Sequence, residues 1–361
     1  MAIADYPIGI VAGVRSPTGD ASATTIARTY FLLLSVLSLA AYVFGVENRL
    51  TSGGLFNVRP AVDWLPPLSA QDWFAAFTAH QQDPAFSACG ATESLAEFKT
   101  LYWWEWGRIV SKLALACAAA LGLYGACLLR AFRFALPRIA TLGVGVLAHG
   151  IVRALIDLAV AHMEILSSYN VGQYRHAIDV TFGSVLVAIV IAFAAAPTAS
   201  ISRKNANITL EWLWLSTIVL DVAFGALFAA RDAAGAWTTW PDYGGNILPP
   251  IDQLTTYVPV WLNFTFNQTM IQFIHRTLSG VLWFLALWQL ARARSHSVNL
   301  AIVRFSLITA QMLTGIATLL LGVPAALSVA HQIGSIALLA CSFVVLISSD
   351  GGELPKSLKV A

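Results

Sequence analysis

The chain has 361 residues, of which 58% are hydrophobic and only 11% are charged, and its mean hydropathy is +0.71. Soluble domains carry about 25% charged residues, so this composition excludes a soluble globular protein and predicts an integral membrane protein surrounded by lipid. The formal net charge of +2 gives no reason to expect a nucleic-acid partner.

Eight apolar segments are long enough to cross a bilayer as α-helices. The hydrocarbon core is about 30 Å thick, so one helical crossing needs about 20 apolar residues. The segments are rich in Leu and Ala and do not alternate with polar residues, which argues against membrane-spanning strands. The predicted segments are 25–46, 102–129, 137–160, 173–196, 208–230, 269–292, 300–322 and 326–348.

The distribution of Lys and Arg predicts the orientation of these helices. The N-terminal segment 1–24 lacks the pattern of a cleaved signal peptide, so the first helix is expected to stay as an anchor. Short basic loops follow the second, fourth and sixth helices, and such loops are usually cytoplasmic. The long loops 47–100 and 231–268 are poor in basic residues and are predicted to be external. Both termini, including the tail 351–361, are then predicted to be cytoplasmic.

An internal repeat divides the chain into two halves. Leu-Pro-Pro occurs in each long external loop, and the following helix begins with a polar and aromatic cluster, EWGRI in the first half and QFIHR in the second. Weak internal symmetry of this kind is typical of duplicated membrane bundles. We therefore predict an all-α integral membrane protein, with eight transmembrane helices forming two pseudo-repeated four-helix bundles, 25–200 and 201–350.

Two histidines in the second half form a matched pair. His275 and His331 each lie about six residues inside the external end of a helix, about 9 Å deep at 1.5 Å rise per residue. Two neutral imidazoles at equal depth on different helices of one bundle are what bis-axial ligation of heme iron requires. A structural hydrogen bond is the alternative role for each. Arg276 is placed to reach a heme propionate, and Gly280 and Gly315 offer close approach to a flat macrocycle or to another helix.

The other histidines and the cysteines suggest no further metal site. His80 and His162 are expected to be solvated surface residues. The sequence has no CxxC motif and no Cys/His cluster, so zinc and iron–sulfur sites are unsupported.

Several motifs extend over nearly the whole chain and point to one family. The chain resembles the heme A synthase family over residues 26–350, and its long, cysteine-poor first loop is similar to that of the proteobacterial and mitochondrial members. The motifs that carry the resemblance are NRLTSGGL, LPPLSAQDW, EFKTLYWWEWG, QFIHR, QMLTGIATLLLGVP and AHQIG.

The resemblance implies an activity, a cofactor and a location. Members oxidise the C8 methyl group of heme O to the formyl group of heme A, which cytochrome c oxidase requires. In this chain it implies a heme b held by His275 and His331, and a multi-pass protein of the bacterial inner membrane. It also implies heme O as substrate, with heme O synthase, cytochrome oxidase assembly factors or further copies of the chain as partners.

The first half departs from the pattern of that family. The resemblance implies a substrate site there, with a glutamate that serves the oxidation and one histidine on each of two helices. Glu105 matches the glutamate, but Arg108 and Asp179 stand at the two histidine positions. Other ionisable residues lie nearby on the predicted third and fourth helices, namely His149, Arg153, Asp157, Arg175 and His176.

Two interpretations of this substituted site remain open. In the first, an ion pair between Arg108 and Asp179 fills a vacated pocket, and the chain is a non-catalytic heme b-binding paralogue in oxidase assembly, heme handover or electron transfer. In the second, heme O still binds, with His176 or His149 as an axial ligand and Arg108 or Arg153 on its propionates. A transporter with a charged cavity is a third possibility, but it leaves the paired histidines unexplained.

Overall fold

The computed structural model describes residues 17–51, 62–63, 65–83, 94–128, 136–162, 172–195, 208–293 and 298–350. These residues form helices and connecting loops, and no β-strand occurs among them. The longer helices are α1 (Pro17–Thr51), α2 (Ala70–Gln81), α3 (Leu95–Leu128), α4 (Leu136–His162), α5 (Gly172–Ala195), α6 (Ile208–Ala230), α7 (Gln268–Ala291), α8 (Val298–Leu320) and α9 (Ala325–Asp350).

Eight of these helices, α1 and α3–α9, are long and apolar enough to cross a membrane. The predicted all-α fold is therefore confirmed, and the chain is a multi-pass membrane protein. Helices α1 and α3 begin several residues before their predicted apolar segments. For α3 the reason is a capping interaction, in which the Glu97 carboxylate accepts hydrogen bonds from the backbone N–H and the hydroxyl of Ser94, both at 2.7 Å.

The short helix α2 lies in the first long loop and packs against the start of α3. Ser69 and Asp72 form a capping box at its N-terminus. His80 on this helix is buried, and its ring centre lies 5.2 Å from that of Phe98. The prediction that His80 is a solvated surface residue is wrong, because α2 turns this side chain inward. Burial lowers the pKa of His80, while the nearby Asp83 opposes that shift.

The first four spanning helices surround a small apolar core. Helix α1 packs against α3 and α5, whereas α4 packs mainly against α5 and barely touches α3. The core contains Phe31 and Leu34 of α1 together with Val190 and Phe193 of α5. None of the residues in the apolar stretch of α4 is fully buried within the chain. Helix α4 therefore stands at the edge of this group.

The last four helices form a closed ring, in which α6 packs against α7, α7 against α8, α8 against α9 and α9 against α6. Trp214, Ile218, Leu282, Ile308 and Leu339 fill the centre of this bundle.

The two groups of helices meet along α5, which packs against both α6 and α9. A polar link crosses the same boundary. The Tyr42 hydroxyl of α1 lies 2.8 Å from the Ser184 hydroxyl of α5 and donates to Oε1 of Gln332 on α9 at 3.3 Å. The division into bundles at residues 200 and 201 stays a prediction, since no independent observation defines a domain boundary.

Candidate functional site

The two histidines predicted as a pair face each other inside the closed bundle. His275 lies on α7 and His331 on α9, with ring centres 6.3 Å apart and ring planes at 88° to each other. Both side chains are largely enclosed by the surrounding helices. The packing of α6 between α7 and α9 brings together two residues that are 56 positions apart in the chain.

His275 is anchored through one ring nitrogen. Its Nδ1 lies 3.2 Å from the backbone carbonyl of Asp221 on α6 and 2.8 Å from the Oδ1 atom of the same residue. The other carboxylate oxygen, Oδ2, accepts a hydrogen bond from the Ser279 hydroxyl at 3.0 Å. The remaining nitrogen of His275, Nε2, makes no hydrogen bond with any residue that the structure describes.

His331 is anchored in a similar way by α8. Its Nδ1 lies 3.0 Å from the backbone carbonyl of Gln311 and 3.3 Å from the Thr314 hydroxyl. Its Nε2 has one contact, 3.4 Å from the side-chain amide nitrogen of Gln311, which is long for a hydrogen bond. Thus both imidazoles are held at Nδ1, and both Nε2 atoms lack a strong partner. Histidines that bind a metal commonly use one nitrogen for a second-shell acceptor and the other for the metal.

The separation of the rings fits two ligands of one iron atom. A metal–imidazole bond is about 2 Å long and a ring centre lies about 1 Å beyond its nitrogen, so opposed ligands place their ring centres about 6 Å apart. The separation of 6.3 Å agrees with this expectation. His275 and His331 therefore suit bis-histidine ligation. Among the described residues, Nε2 of His275 has no hydrogen-bonding partner that would compete with a metal.

Two glycines make room for the imidazoles. A methyl group added at Gly315 on α8 would come within 2.8 Å of Cε1 of His331, and one added at Gly225 on α6 would come within 3.1 Å of Cε1 of His275. Gly280 has open space around its Cα, with no atom within 4 Å of an added methyl group. Gly315 thus lets His331 lie close to the backbone of α8. Gly225 of α6 does the same for His275, which the sequence did not suggest.

Arg276 binds the long loop before α7. Its guanidinium donates to the backbone carbonyls of Asp242 at 3.1 Å, Trp237 at 3.1 Å and Thr239 at 2.8 Å, and lies 4.6 Å from the centre of the Tyr243 ring. An arginine has five N–H donors, so some remain for another acceptor. The contact with a heme propionate stays a prediction.

In the first half, Glu105 and Arg108 form an ion pair within α3. Nε of Arg108 lies 2.7 Å from Oε2 of Glu105, and a second bond joins Nη2 to Oε1. Glu105 is buried, with 4% of its surface exposed. The predicted ion pair between Arg108 and Asp179 is wrong, since each of these residues has nearer partners of opposite charge.

Asp179 belongs to a second ionic network, between α4 and α5. Its Oδ1 lies 3.0 Å from Nε2 of His149 and 2.7 Å from Nη1 of Arg153. Asp157 lies 2.7 Å from Arg175 and 3.6 Å from Arg153. Because α4 packs against α5 and hardly against α3, the cations of α4 reach Asp179 and Arg108 does not. His176 follows Arg175 on α5 and is half-buried.

The sequence did not single out Asp221 as part of the histidine site. Asp221 carries the only carboxylate within reach of His275 among the described residues. A lone acidic residue in an apolar helix is itself a signal of function, since such groups are costly at membrane depth. The sequence did not single out the buried ion pair between Glu211 of α6 and Arg304 of α8 either, although both residues carry the same signal.

Comparisons with known proteins show which family the chain belongs to. Residues 28–343 match a family profile described as cytochrome oxidase assembly protein. The chain is 28% identical to the heme A synthase of Azorhizobium caulinodans over 98% of its own length and 99% of that protein. It is 32% identical to the heme A synthase of Bartonella bacilliformis, with 87% of this chain and 90% of the relative covered. It is also 32% identical to the heme A synthase of Methylorubrum extorquens strain PA1, with coverage of 88% and 85%.

The chain belongs to the heme A synthase family. Membership gives it a role in heme A biosynthesis and cytochrome oxidase assembly and places it in a family of heme-associated oxidoreductases. The resemblance seen in the sequence motifs is therefore confirmed over nearly the full chain. Within this member of the heme A synthase family, the paired histidines lie in the closed bundle α6–α9, and the substituted positions 108 and 179 lie in the other group of helices.

Proposed function

We propose that this chain oxidises the C8 methyl group of heme O to the formyl group of heme A, with a heme b held between His275 and His331. The observation that carries the proposal is the geometry of these two rings, with centres 6.3 Å apart and both Nδ1 atoms anchored. Family membership supports heme as the chemical class of both the cofactor and the substrate.

The residues of the closed bundle would bind and orient the heme b. His275 and His331 supply two neutral nitrogen ligands, and the acceptors at Nδ1 fix the orientation of each ring. When bound, heme b supplies one-electron transfer. Conversion of a methyl group to a formyl group with oxygen from water releases four electrons and four protons, so an electron acceptor and a proton acceptor are both required. Family members are thought to proceed through two hydroxylations to a gem-diol that loses water.

We assign to Glu105 the role of accepting protons that the oxidation of the methyl group releases. It is buried in α3, and the guanidinium of Arg108 fixes its carboxylate at two points. An oriented carboxylate in a water-poor site can accept a proton from a reacting group within hydrogen-bond reach.

The network between α4 and α5 supports a polar pocket for the substrate. Its side chains remain between 24% and 49% exposed, because α4 stands at the edge of the first group of helices. Arg153 and Arg175 each pair with an aspartate there, and both have further N–H donors that suit propionates. His149 and His176 remain the candidates for a nitrogen ligand on this side.

The decisive experiment is heme extraction from membranes that contain this chain and a heme O synthase, in a host without its own heme A. We expect chromatography to show heme A or its hydroxylated intermediate, and replacement of Glu105 by Gln to reduce the yield at least tenfold while heme b stays bound. Replacement of His162, an exposed histidine at the end of α4, by Gln is the matched control and should leave the yield unchanged.

One result would reject the catalytic proposal. If the membranes contain about one heme b per chain and heme O stays unchanged, the chain binds heme without oxidising it. It would then be the non-catalytic paralogue that acts in oxidase assembly, heme handover or electron transfer.

A further inference from the structure

Asp221 places a carboxylate directly behind one of the two paired histidines. Its Oδ1 lies 2.8 Å from Nδ1 of His275, and its backbone carbonyl lies 3.2 Å from the same nitrogen. The Ser279 hydroxyl holds the other oxygen at 3.0 Å. Two contacts from α7, those of His275 and Ser279, thus fix the orientation of this side chain.

The surroundings of Asp221 make its charge unusual. The residue lies in the middle of the apolar helix α6, and its side chain is only 13% exposed. Among the described residues no Arg or Lys forms an ion pair with it, and its one ion-pair partner there is His275. A carboxylate in such a place costs free energy, so a compensating positive charge close to it is expected when the site is loaded.

The opposite histidine has no such neighbour. Nδ1 of His331 contacts the carbonyl of Gln311 and the hydroxyl of Thr314, both of which are neutral. Both Nδ1 atoms thus contact a backbone carbonyl, but only that of His275 also has a carboxylate beside it.

We propose that Asp221 is a positioning residue that lowers the reduction potential of the heme held by His275 and His331. A carboxylate 2.8 Å from Nδ1 of a ligand stabilises positive charge on the imidazole and makes the ligand a stronger donor. Its negative charge also favours the ferric state, which carries one more positive charge than the ferrous state. Second-shell hydrogen bonds are among the levers by which proteins set heme potentials. A low potential would direct electrons out of this heme toward an acceptor. The inference rests on the heme b of the proposed function but not on turnover.

The test is a spectroscopic redox titration of the purified, heme-loaded full chain and of variants at positions 221 and 279. We expect Asp221→Asn to keep the bis-histidine spectrum and to shift the equilibrium toward the ferrous heme about tenfold, which is about 59 mV for one electron. Asp221→Glu should retain the wild-type value within about twofold. Ser279→Ala is the matched control, because it removes a neutral contact from the same carboxylate and leaves the charge, and it should also stay within about twofold.

Each outcome decides the question. An unchanged potential in Asp221→Asn with the heme still bound by two histidines would overturn the proposal. A further outcome is that Asp221→Asn loses the heme. In that case, an Asp221→Glu variant that keeps both the heme and the wild-type potential supports the need for a carboxylate. Loss of the heme in both variants shows a purely structural role for Asp221 and overturns the proposal. If the chain makes no heme A but Asp221→Asn still shifts the reduction potential, only the proposed oxidation of heme O is rejected. A wild-type chain without heme b rejects both.

Discussion

Nε2 of His149 lies 3.0 Å from Oδ1 of Asp179, and Nη1 of Arg153 lies 2.7 Å from the same oxygen. Asp179 therefore engages one ring nitrogen of His149, Nε2, so His149 could offer only Nδ1 to an iron atom. Asp179 stands at a position where the family resemblance implies a histidine, and in this chain that position holds a carboxylate that contacts a histidine of the neighbouring helix.

Restoring histidines at both substituted positions should create a second heme site. In the double variant Arg108→His and Asp179→His, imidazoles stand on α3 and α5 at the two histidine positions that the family resemblance implies, and the carboxylate that engages His149 is gone. We expect bound heme to rise from about one to about two per chain in a pyridine hemochrome assay, given one strong bis-histidine site in each half. The single variants serve as controls. No gain in the double variant would show that the first half does not hold a second heme even with both histidines restored.

The heme b that we propose for the closed bundle should be lost or altered when His275 or His331 is removed. His275→Ala or His331→Ala leaves one nitrogen ligand, so the low-spin heme b spectrum of purified protein should disappear or turn high-spin. The control is His149→Ala in the other half, which should retain the full low-spin band. An unchanged spectrum in either α7 or α9 variant would rule out that histidine as a ligand.

The two glycines behind the imidazoles predict a steric effect. Gly315→Ala puts a methyl group 2.8 Å from Cε1 of His331, and Gly225→Ala puts one 3.1 Å from Cε1 of His275. We expect both variants to displace the ring and to lower heme occupancy, Gly315→Ala the more strongly. Gly280→Ala is the matched control, since an added methyl group there meets no atom within 4 Å. Heme per chain by absorbance measures the effect, and equal occupancy in all three variants would contradict it.

The ion pair between Glu211 and Arg304 should be a strong determinant of stability. Both side chains are almost completely buried, and Arg304 also contacts Gln289 at 3.5 Å and lies 5.5 Å from the Trp214 ring centre. Arg304→Met or Glu211→Leu alone leaves a buried charge without its partner and should cost about 3–5 kcal/mol of unfolding free energy.

The double variant Glu211→Leu with Arg304→Met tests the cause of that loss. Because it removes both charges, it should recover most of the stability in detergent-induced unfolding, as replacement of buried ion pairs by apolar residues often does. A double variant with the summed loss of the two single variants would show that the charges do not interact.

The contact of α2 with α3 should weaken in mild acid. Burial lowers the pKa of His80 below its ordinary value of 6.5, so the docked state binds this proton less well than the undocked state. Docking should therefore be strongest above pH 6.5 and weaken as the pH falls below that value. Hydrogen exchange of residues 70–81 between pH 7.5 and 5 measures the effect. His80→Phe should abolish the pH dependence, and a pH-dependent loss of protection in that variant would assign it to another group.

The sequence by itself determined the eight spanning helices and the paired histidines. Apolar length is a local property of the chain, because each crossing must satisfy its own backbone hydrogen bonds and bury about 20 apolar residues in lipid. The equal depth of His275 and His331 also follows from counting along single helices, without knowledge of how the helices pack.

Only the tertiary structure decided which ionisable groups meet. Asp221 reaches His275, and Asp179 reaches His149 and Arg153, because α6 packs against α7 and α4 against α5. Arg108 instead finds Glu105 one turn away on its own helix. Ion pairs form over a few ångströms, and the sum of many weak apolar contacts along each helix sets which side chains come that close.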